Sequence, residues 1–193
     1  MHPFLLDALD LARFRVRPLS HYGYAWWLPL AWLTLLSVLQ ALFGSELKAS
    51  LPVRLVFVVG FAWVQALLLA LFFGWWLKLG KRWSGEGSLF PLVVLCSSAQ
   101  LFEPAIGLLS EAMQLPVIVL LAFYQLAVWV VACSRATGVT VGYVIGGLFA
   151  YLPTALILAL LSLSIASSAG WLPDPPSQQP GFGQPPAPLA GSN

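Results

Sequence analysis

Charge is what this chain has least of. Of its 193 residues 8% are charged and 60% hydrophobic, against roughly 25% charged in an ordinary soluble domain. So few solvating groups cannot cover that much apolar surface in water, which excludes a soluble globular fold. The formal net charge is +2, and no basic cluster forms a nucleic-acid footprint. Cysteine is nearly absent. Cys96 and Cys133 fall inside apolar runs, without cysteines or histidines at metal-ligand spacing, and read as small buried hydrophobes. The two histidines, His2 and His21, precede the first apolar run, so no intramembrane zinc site can be built. H-E-x-x-H, G-x-S-x-G, a P-loop and aspartate pairs within the apolar runs are all missing. The sequence therefore points to no catalytic residue, no metal and no cofactor.

What the chain has instead is five apolar stretches, four of them free of charge. No charged residue lies between Arg17 and Glu46, or within Leu55–Leu77, Ala112–Ser134 or Ala136–Pro173; the remaining stretch, Leu89–Ser110, is interrupted only by Glu103. About 20 apolar residues match the hydrocarbon thickness of a bilayer. Inside it every backbone N–H and C=O must be paired within the segment, and the alternating pattern of barrel strands is absent, so the runs read as helices. The expected class is all-α, a polytopic transmembrane helical bundle of about five spans near residues 25–43, 54–78, 89–110, 115–134 and 140–164. A cytoplasmic amphipathic arm (1–22) precedes the five-span domain (23–168), and a Pro/Gly-rich tail (169–193) follows. The first apolar run starts only near Tyr24 and is too long for a signal-peptide core, so it reads as an uncleaved span.

Basic residues give the expected orientation. Arg13, Arg15 and Arg17 in the arm, Lys78, Lys81 and Arg82 in the second loop and Arg135 in the fourth place seven on one side; Lys48 and Arg54 place two on the other. The N-terminus is then cytoplasmic and the tail extracytoplasmic. Tyr22, Tyr24, Trp26 and Trp27, with Trp75, Trp76 and Trp83, fall at one interface, as an aromatic belt does. Residues 3–17 read as an interfacial helix with Asp7, Asp10, Arg13 and Arg17 on its polar face and Phe4, Leu5, Leu9, Leu11 and Phe14 largely turned away from them. The segment from Gly170 to Asn193 holds seven prolines, four glycines and one charge, a composition expected to stay disordered.

Three groups of residues carry candidate function. Glu103 is the one charge at membrane depth, next to a helix-kinking proline, Pro104. It reads either as part of a polar path or as a carboxylate snorkelling to the outer interface. Gln65, Gln100 and Gln125 sit near the middle of their spans, where amides at one depth either hydrogen-bond between helices or line a hydrated cavity. Small residues recur every fourth position: Ala62, Ala66, Ala70 and Gly74 in the second span, Gly138, Gly142 and Gly146 leading into the fifth. Such stripes let helix backbones approach closely, within the chain or between copies.

The order of features resembles the Yip1-domain family of integral membrane proteins, over about residues 15–165. Pro18-Leu-Ser-His-Tyr-Gly-Tyr-Ala-Trp-Trp-Leu-Pro29 is similar to the approach to that family's first span. Leu79-Gly-Lys-Arg-Trp-Ser-Gly-Glu-Gly-Ser-Leu-Phe90 resembles its Gly-rich basic loop, with Pro104 downstream. Ala136-Thr-Gly-Val-Thr-Val-Gly-Tyr-Val-Ile145, followed by Pro153, resembles its small-residue segment before the last span. Cys133-Ser-Arg-Ala-Thr and Glu103 depart from the pattern. The resemblance implies a bacterial-type membrane scaffold and supplies no catalytic residue.

The sequence therefore leads to a non-enzymatic, Yip1-like scaffold or partner-binding protein of the bacterial inner membrane. Its expected partners are the lipid bilayer and other membrane proteins or itself, with no nucleic acid. The alternative is a small transporter or channel subunit using Glu103 and the glutamine layer.

Overall fold

The computed structural model describes residues 3–43, 47–81, 83–107 and 109–172, and among them the secondary structure is entirely helical. The order is α1 (Pro3–Ala12), a 3-10 turn (Leu19–Tyr22), α2 (Trp27–Phe43), α3 (Leu51–Lys78), α4 (Phe90–Cys96), a 3-10 stretch (Ser97–Phe102), α5 (Glu103–Ile106), α6 (Glu111–Thr137) and α7 (Val141–Ser168). Three helices are long and apolar enough to cross a membrane: α3, α6 from Ala112 onward, and α7. The other two apolar runs are shorter. α2 has 17 residues, and the third run is broken into α4, the 3-10 stretch and α5. Pro104 explains the break. It has no N–H for the carbonyl of Gln100, and its ring crowds that carbonyl, so the preceding turn tightens to 3-10 geometry. Ser97 adds to the bend by donating its hydroxyl to the Val93 carbonyl at 3.1 Å.

Two ends of the bundle can be told apart by what meets there. At one, the arm end, Ser84 N–H donates to the Thr137 carbonyl at 3.0 Å, and Arg135 donates to the Phe14 carbonyl at 2.8 Å. Trp76 and Tyr143 exchange bonds there: Trp76 Nε1 to the Tyr143 carbonyl at 3.2 Å and Tyr143 OH to the Trp76 carbonyl at 3.1 Å. The arm, the loop after α3 and the turn after α6 thus share one end. At the far end, Lys48 N–H donates to the Trp171 carbonyl at 2.8 Å, and the rings of Phe57 and Trp171 meet edge-on at 5.5 Å. The tail beyond Leu172 lies outside the described residues.

Burial is concentrated at the arm end. Phe73, Leu77, Leu92, Leu95, Ala132, Cys133 and Val144 are fully enclosed, with Trp129 set edge-on to Phe73 at 4.4 Å. The far halves of α3, α6 and α7 bury little. The closest backbone approach is at Gly147 on α7. A Cβ there would lie 2.7 Å from the Trp76 ring and 2.8 Å from that of Phe73. The small-residue stripes contribute unequally. Ala66 and Ala70 are buried, and Ala62 is half-buried beside Leu33 and Val94. Gly146 has its nearest neighbour at 4.0 Å, and Gly74 and Gly142 face nothing within 4 Å. Gly138 lies outside α7: at φ 75° it ends α6 in the left-handed conformation that glycine adopts without strain.

The arm departs from its expected orientation. α1 buries Phe4, Asp7 and Leu11 against α4 and α6, leaving Leu6 and Leu9 exposed. Asp7 therefore leaves the polar face that the spacing predicts for it. The reason is its partners: Tyr24 OH donates to Asp7 Oδ2, and His21 Nε2 lies 3.0 Å from the same oxygen. Arg17 adds ion pairs to Asp7 at 3.6 Å and Asp10 at 3.2 Å. The helix then stops short of residue 17. Phe14, at φ 59°, takes the left-handed position of a Schellman cap, with Arg15 N–H bonded to the Asp10 carbonyl at 2.8 Å and Phe14 N–H to that of Leu11 at 2.9 Å. A non-glycine residue there is strained by of order 1–3 kcal/mol. The Phe14 ring packs edge-on against Tyr124 at 5.9 Å, and Tyr124 OH caps the Ala12 carbonyl.

Two predictions follow from this packing. Gly147→Ala pushes a methyl into two packed rings and should lower stability by about 1–3 kcal/mol, while Gly146→Ala should be close to neutral; thermal unfolding in detergent compares them. Burial first, and for Tyr24 the Asp7 carboxylate next, raises the phenols of Tyr22 and Tyr24 above their ordinary 10.0. The folded state then holds these protons more tightly than the unfolded chain, so their contribution is complete below pH 10 and is lost as pH rises through the raised values. Unfolding followed from pH 8 to 12 should show an alkaline loss of stability that is blunted when both residues are changed to Phe.

Candidate functional site

Three helical segments present the same spacing to the interior: Ala62, Gln65, Ala66 and Leu69 on α3; Val93, Cys96, Ser97 and Gln100 on α4 and the 3-10 stretch; Ala122, Gln125, Leu126 and Trp129 on α6. Positions i, i+3, i+4 and i+7 lie on one face of a helix, so each of these faces turns one glutamine inward. Together with Leu33 and Gln40 of α2 and Leu148 and Ser162 of α7 they surround a cavity of about 630 Å³. It extends from the bundle's middle toward the far end, where Gln40, Phe57 and Ser162 line it. Toward the arm end, the packed rings of Phe73, Trp76, Trp129 and Tyr143 fill the interior.

Gln65, Gln100 and Gln125 thus meet at one chamber. Sequence reasoning missed a fourth amide, Gln40. It sits three residues from the end of α2, and position in the apolar run alone gives it no sign of convergence; its placement seven residues after inward-facing Leu33 is the signal that finds it. No hydrogen bond among the described residues engages any of the four amides. They differ in this from several other polar side chains of the bundle, although Tyr151 OH and Arg54 Nε are also buried without a partner. Trp32 Nε1 donates to Ser98 Oγ at 3.0 Å and Trp63 Nε1 to Thr34 Oγ1 at 3.2 Å. Trp129 joins the exceptions: it is 7% exposed, lines the cavity, and its indole N–H has no partner.

No charged residue occurs among the described residues of the lining. The hydroxyl protons of its two serines are already used, Ser97 on the Val93 carbonyl at 3.1 Å and Ser162 on the Ala159 carbonyl at 2.8 Å. Both oxygens can still accept. The wall therefore offers donors from four amides and an indole, and acceptors from four amides and two hydroxyls. Glu103 opens α5, and its side chain lies outside the described residues. Cys96 lines the cavity and Cys133 is buried; both are free thiols. No group of three or more His, Cys, Asp or Glu that could hold a metal occurs among the described residues.

Amides that hold helices together contribute about 0.6–2 kcal/mol each, whereas amides facing a cavity contribute little to folding. Gln65→Leu and Gln125→Leu should each change stability by less than about 0.5 kcal/mol, read by thermal unfolding in detergent. A loss in the 1–2 kcal/mol range would return these residues to the role of helix glue.

Comparison with known proteins finds no matching family model, no matching curated protein and no matching solved structure.

Proposed function

We propose that this chain is a multi-pass membrane protein that acts without catalysis of its own, by accepting a guest into its glutamine-lined cavity and passing it across the bilayer as a transporter or channel subunit. One observation carries the reading. Four glutamines, from α2, α3, the 3-10 stretch and α6, converge on one chamber with their amides unpaired. Polar groups at membrane depth are costly unless satisfied, and where they persist they usually face water or a ligand.

The same proposal takes α2 and the broken third segment as membrane segments, making five. At about 1.5 Å per residue α2 extends ~26 Å, close to a hydrocarbon core of about 30 Å. The 3-10 stretch, with its longer rise of about 2 Å, brings the third segment to ~28 Å when α4 and α5 continue it. The arm end, which gathers the basic segments, is taken as cytoplasmic by the positive-inside rule. The far end and the tail are then extracytoplasmic, in a bacterial inner membrane.

A second reading keeps the Yip1-like scaffold that binds other membrane proteins or a second copy. Gly74 and Gly142 support it, since each leaves a notch with nothing within 4 Å, the kind of surface on which another helix packs closely.

Accessibility separates the two. In a Cys96→Ser, Cys133→Ser background, Gln65→Cys and Gln125→Cys should react in intact cells with a membrane-impermeant methanethiosulfonate, a reagent that needs hydrated thiolate. Leu161→Cys, on the exposed face of α7, should not. No reaction at either glutamine position, together with loss of self-association in Gly74→Leu and Gly142→Leu, would favour the scaffold. Reporter fusions should place the Lys81 loop inside and the tail outside; a cytoplasmic tail would overturn the five-segment topology.

A further inference from the structure

We propose that the guest is a small uncharged solute bearing both hydrogen-bond donors and acceptors, of polyol or amide type, and that it enters from the far end. This rests on the reading of the cavity as a transport chamber and adds the class of substrate to it.

Charge selects first. An ion entering the chamber loses its hydration and meets no opposite charge among the described lining residues. That loss is unfavourable even after relaxation and water penetration. Neutral amides do not repay it as a carboxylate or a guanidinium would. A purely apolar guest fares badly for the opposite reason, because it would leave the four amides, the two serine oxygens and the Trp129 N–H without partners.

The hydrogen-bonding character narrows the class further. Each amide offers one acceptor oxygen and two N–H donors, and Ser97 and Ser162 are left to accept. A guest that only accepts, such as an ether or ketone, satisfies half of this wall. Hydroxyl groups and primary amides both donate and accept, so they match it at any orientation. Phe57, Phe61 and the Trp129 ring supply flat apolar surface between the polar positions, suited to the C–H face of a polyol. The volume of about 630 Å³ is within the usual 300–1,000 Å³ of small-molecule sites and leaves room for water beside the guest.

Access follows from the packing. Phe73 against Trp129 at 4.4 Å and Trp76 stacked on Tyr143 at 5.4 Å close the arm side. Gln40, Phe57 and Ser162 carry the lining toward the far end. The described conformation is therefore one that loads from the far side.

The test uses the full chain reconstituted in liposomes, with two readouts. Stopped-flow light scattering under gradients of glycerol, xylitol and urea measures flux, and a chloride-sensitive or potassium-sensitive dye measures ion leak. Protection of Gln125→Cys (in the Cys96→Ser, Cys133→Ser background) against methanethiosulfonate measures binding. We expect at least one of the three neutral solutes to permeate about tenfold faster than in protein-free vesicles, a change of about 1.4 kcal/mol in barrier. KCl should stay at background, and the Gln65→Leu, Gln125→Leu double variant, checked for folding by thermal unfolding, should lose the flux. KCl flux with no flux of neutral solutes would overturn the substrate class and leave the transport reading standing. Protection by glycerol, xylitol or urea without flux of any solute would support the class and overturn transport. Neither flux nor protection, with the protein folded and Gln125→Cys reactive, would overturn both.

Discussion

The controlling constraint in this molecule is that polar groups inside a bilayer have to find partners within the protein. A chain with 8% charged residues meets it mostly by local means. Thr34, Ser37, Ser97, Thr137 and Ser162 return their hydroxyl protons to carbonyls three or four residues back. Tryptophans reach across helices, Trp32 to Ser98 and Trp76 to the Tyr143 carbonyl. Against this background, four glutamines and one indole without partners gather at a single cavity, while the other buried polar atoms left without a partner among the described residues, Tyr151 OH and Arg54 Nε, stand apart from it. The cavity is defined by that contrast as much as by its volume.

Packing density divides along the same axis. At the arm end a glycine lets α3 and α7 close until the rings of Phe73 and Trp76 touch the backbone at Gly147. The far halves of α3, α6 and α7 bury little. One end is a conventional close-packed core and the other an open chamber. The dense end is filled by flat rings, and its buried polar side chains, Asp7 and Thr137, are bonded; at the open end the amides stand without partners.

Much of this was legible in the sequence. Uninterrupted apolar runs required helices, and three of the five appear as helices long enough to cross a membrane. Gln65, Gln100 and Gln125 were recognisable because an amide in the middle of an apolar run has few reasons to be there. Other features depend on tertiary placement. Gly146 continues the four-residue stripe, yet its neighbour Gly147 makes the contact, because helix rotation, which a stripe does not fix, decides which of two adjacent glycines faces the partner. Asp7 looked like a solvated residue since its partners, His21 and Tyr24, are 14 and 17 residues away and reach it only after the chain reverses. Phe14 ends α1 in a conformation that side chains usually avoid, held by Tyr124 and Arg135 from a helix more than 100 residues later.

The two ends also differ in how they use polarity. At the arm end the polar side chains bond to one another: Asp7, Asp10, Arg17, His21, Tyr22 and Tyr24 form one connected cluster. His21 Nε2 faces both Arg17 Nη1 and Asp7 Oδ2 at 3.0 Å, joining the chain after α1 back to the helix. The described lining of the cavity contains amides instead and no carboxylate, guanidinium or imidazole. Glutamine supplies hydrogen bonds that do not change with pH and exerts no net field on a passing ion, which a glutamate at the same position would do. The two regions are nevertheless joined through shared helices. Tyr124, which caps α1, precedes Gln125, and Trp32, which packs on Phe4 at 5.9 Å, bonds Ser98 beside the cavity-lining Ser97. A displacement of the arm therefore acts on the same two helical segments that carry half of the amides, so the arm and the chamber are mechanically joined through those contacts.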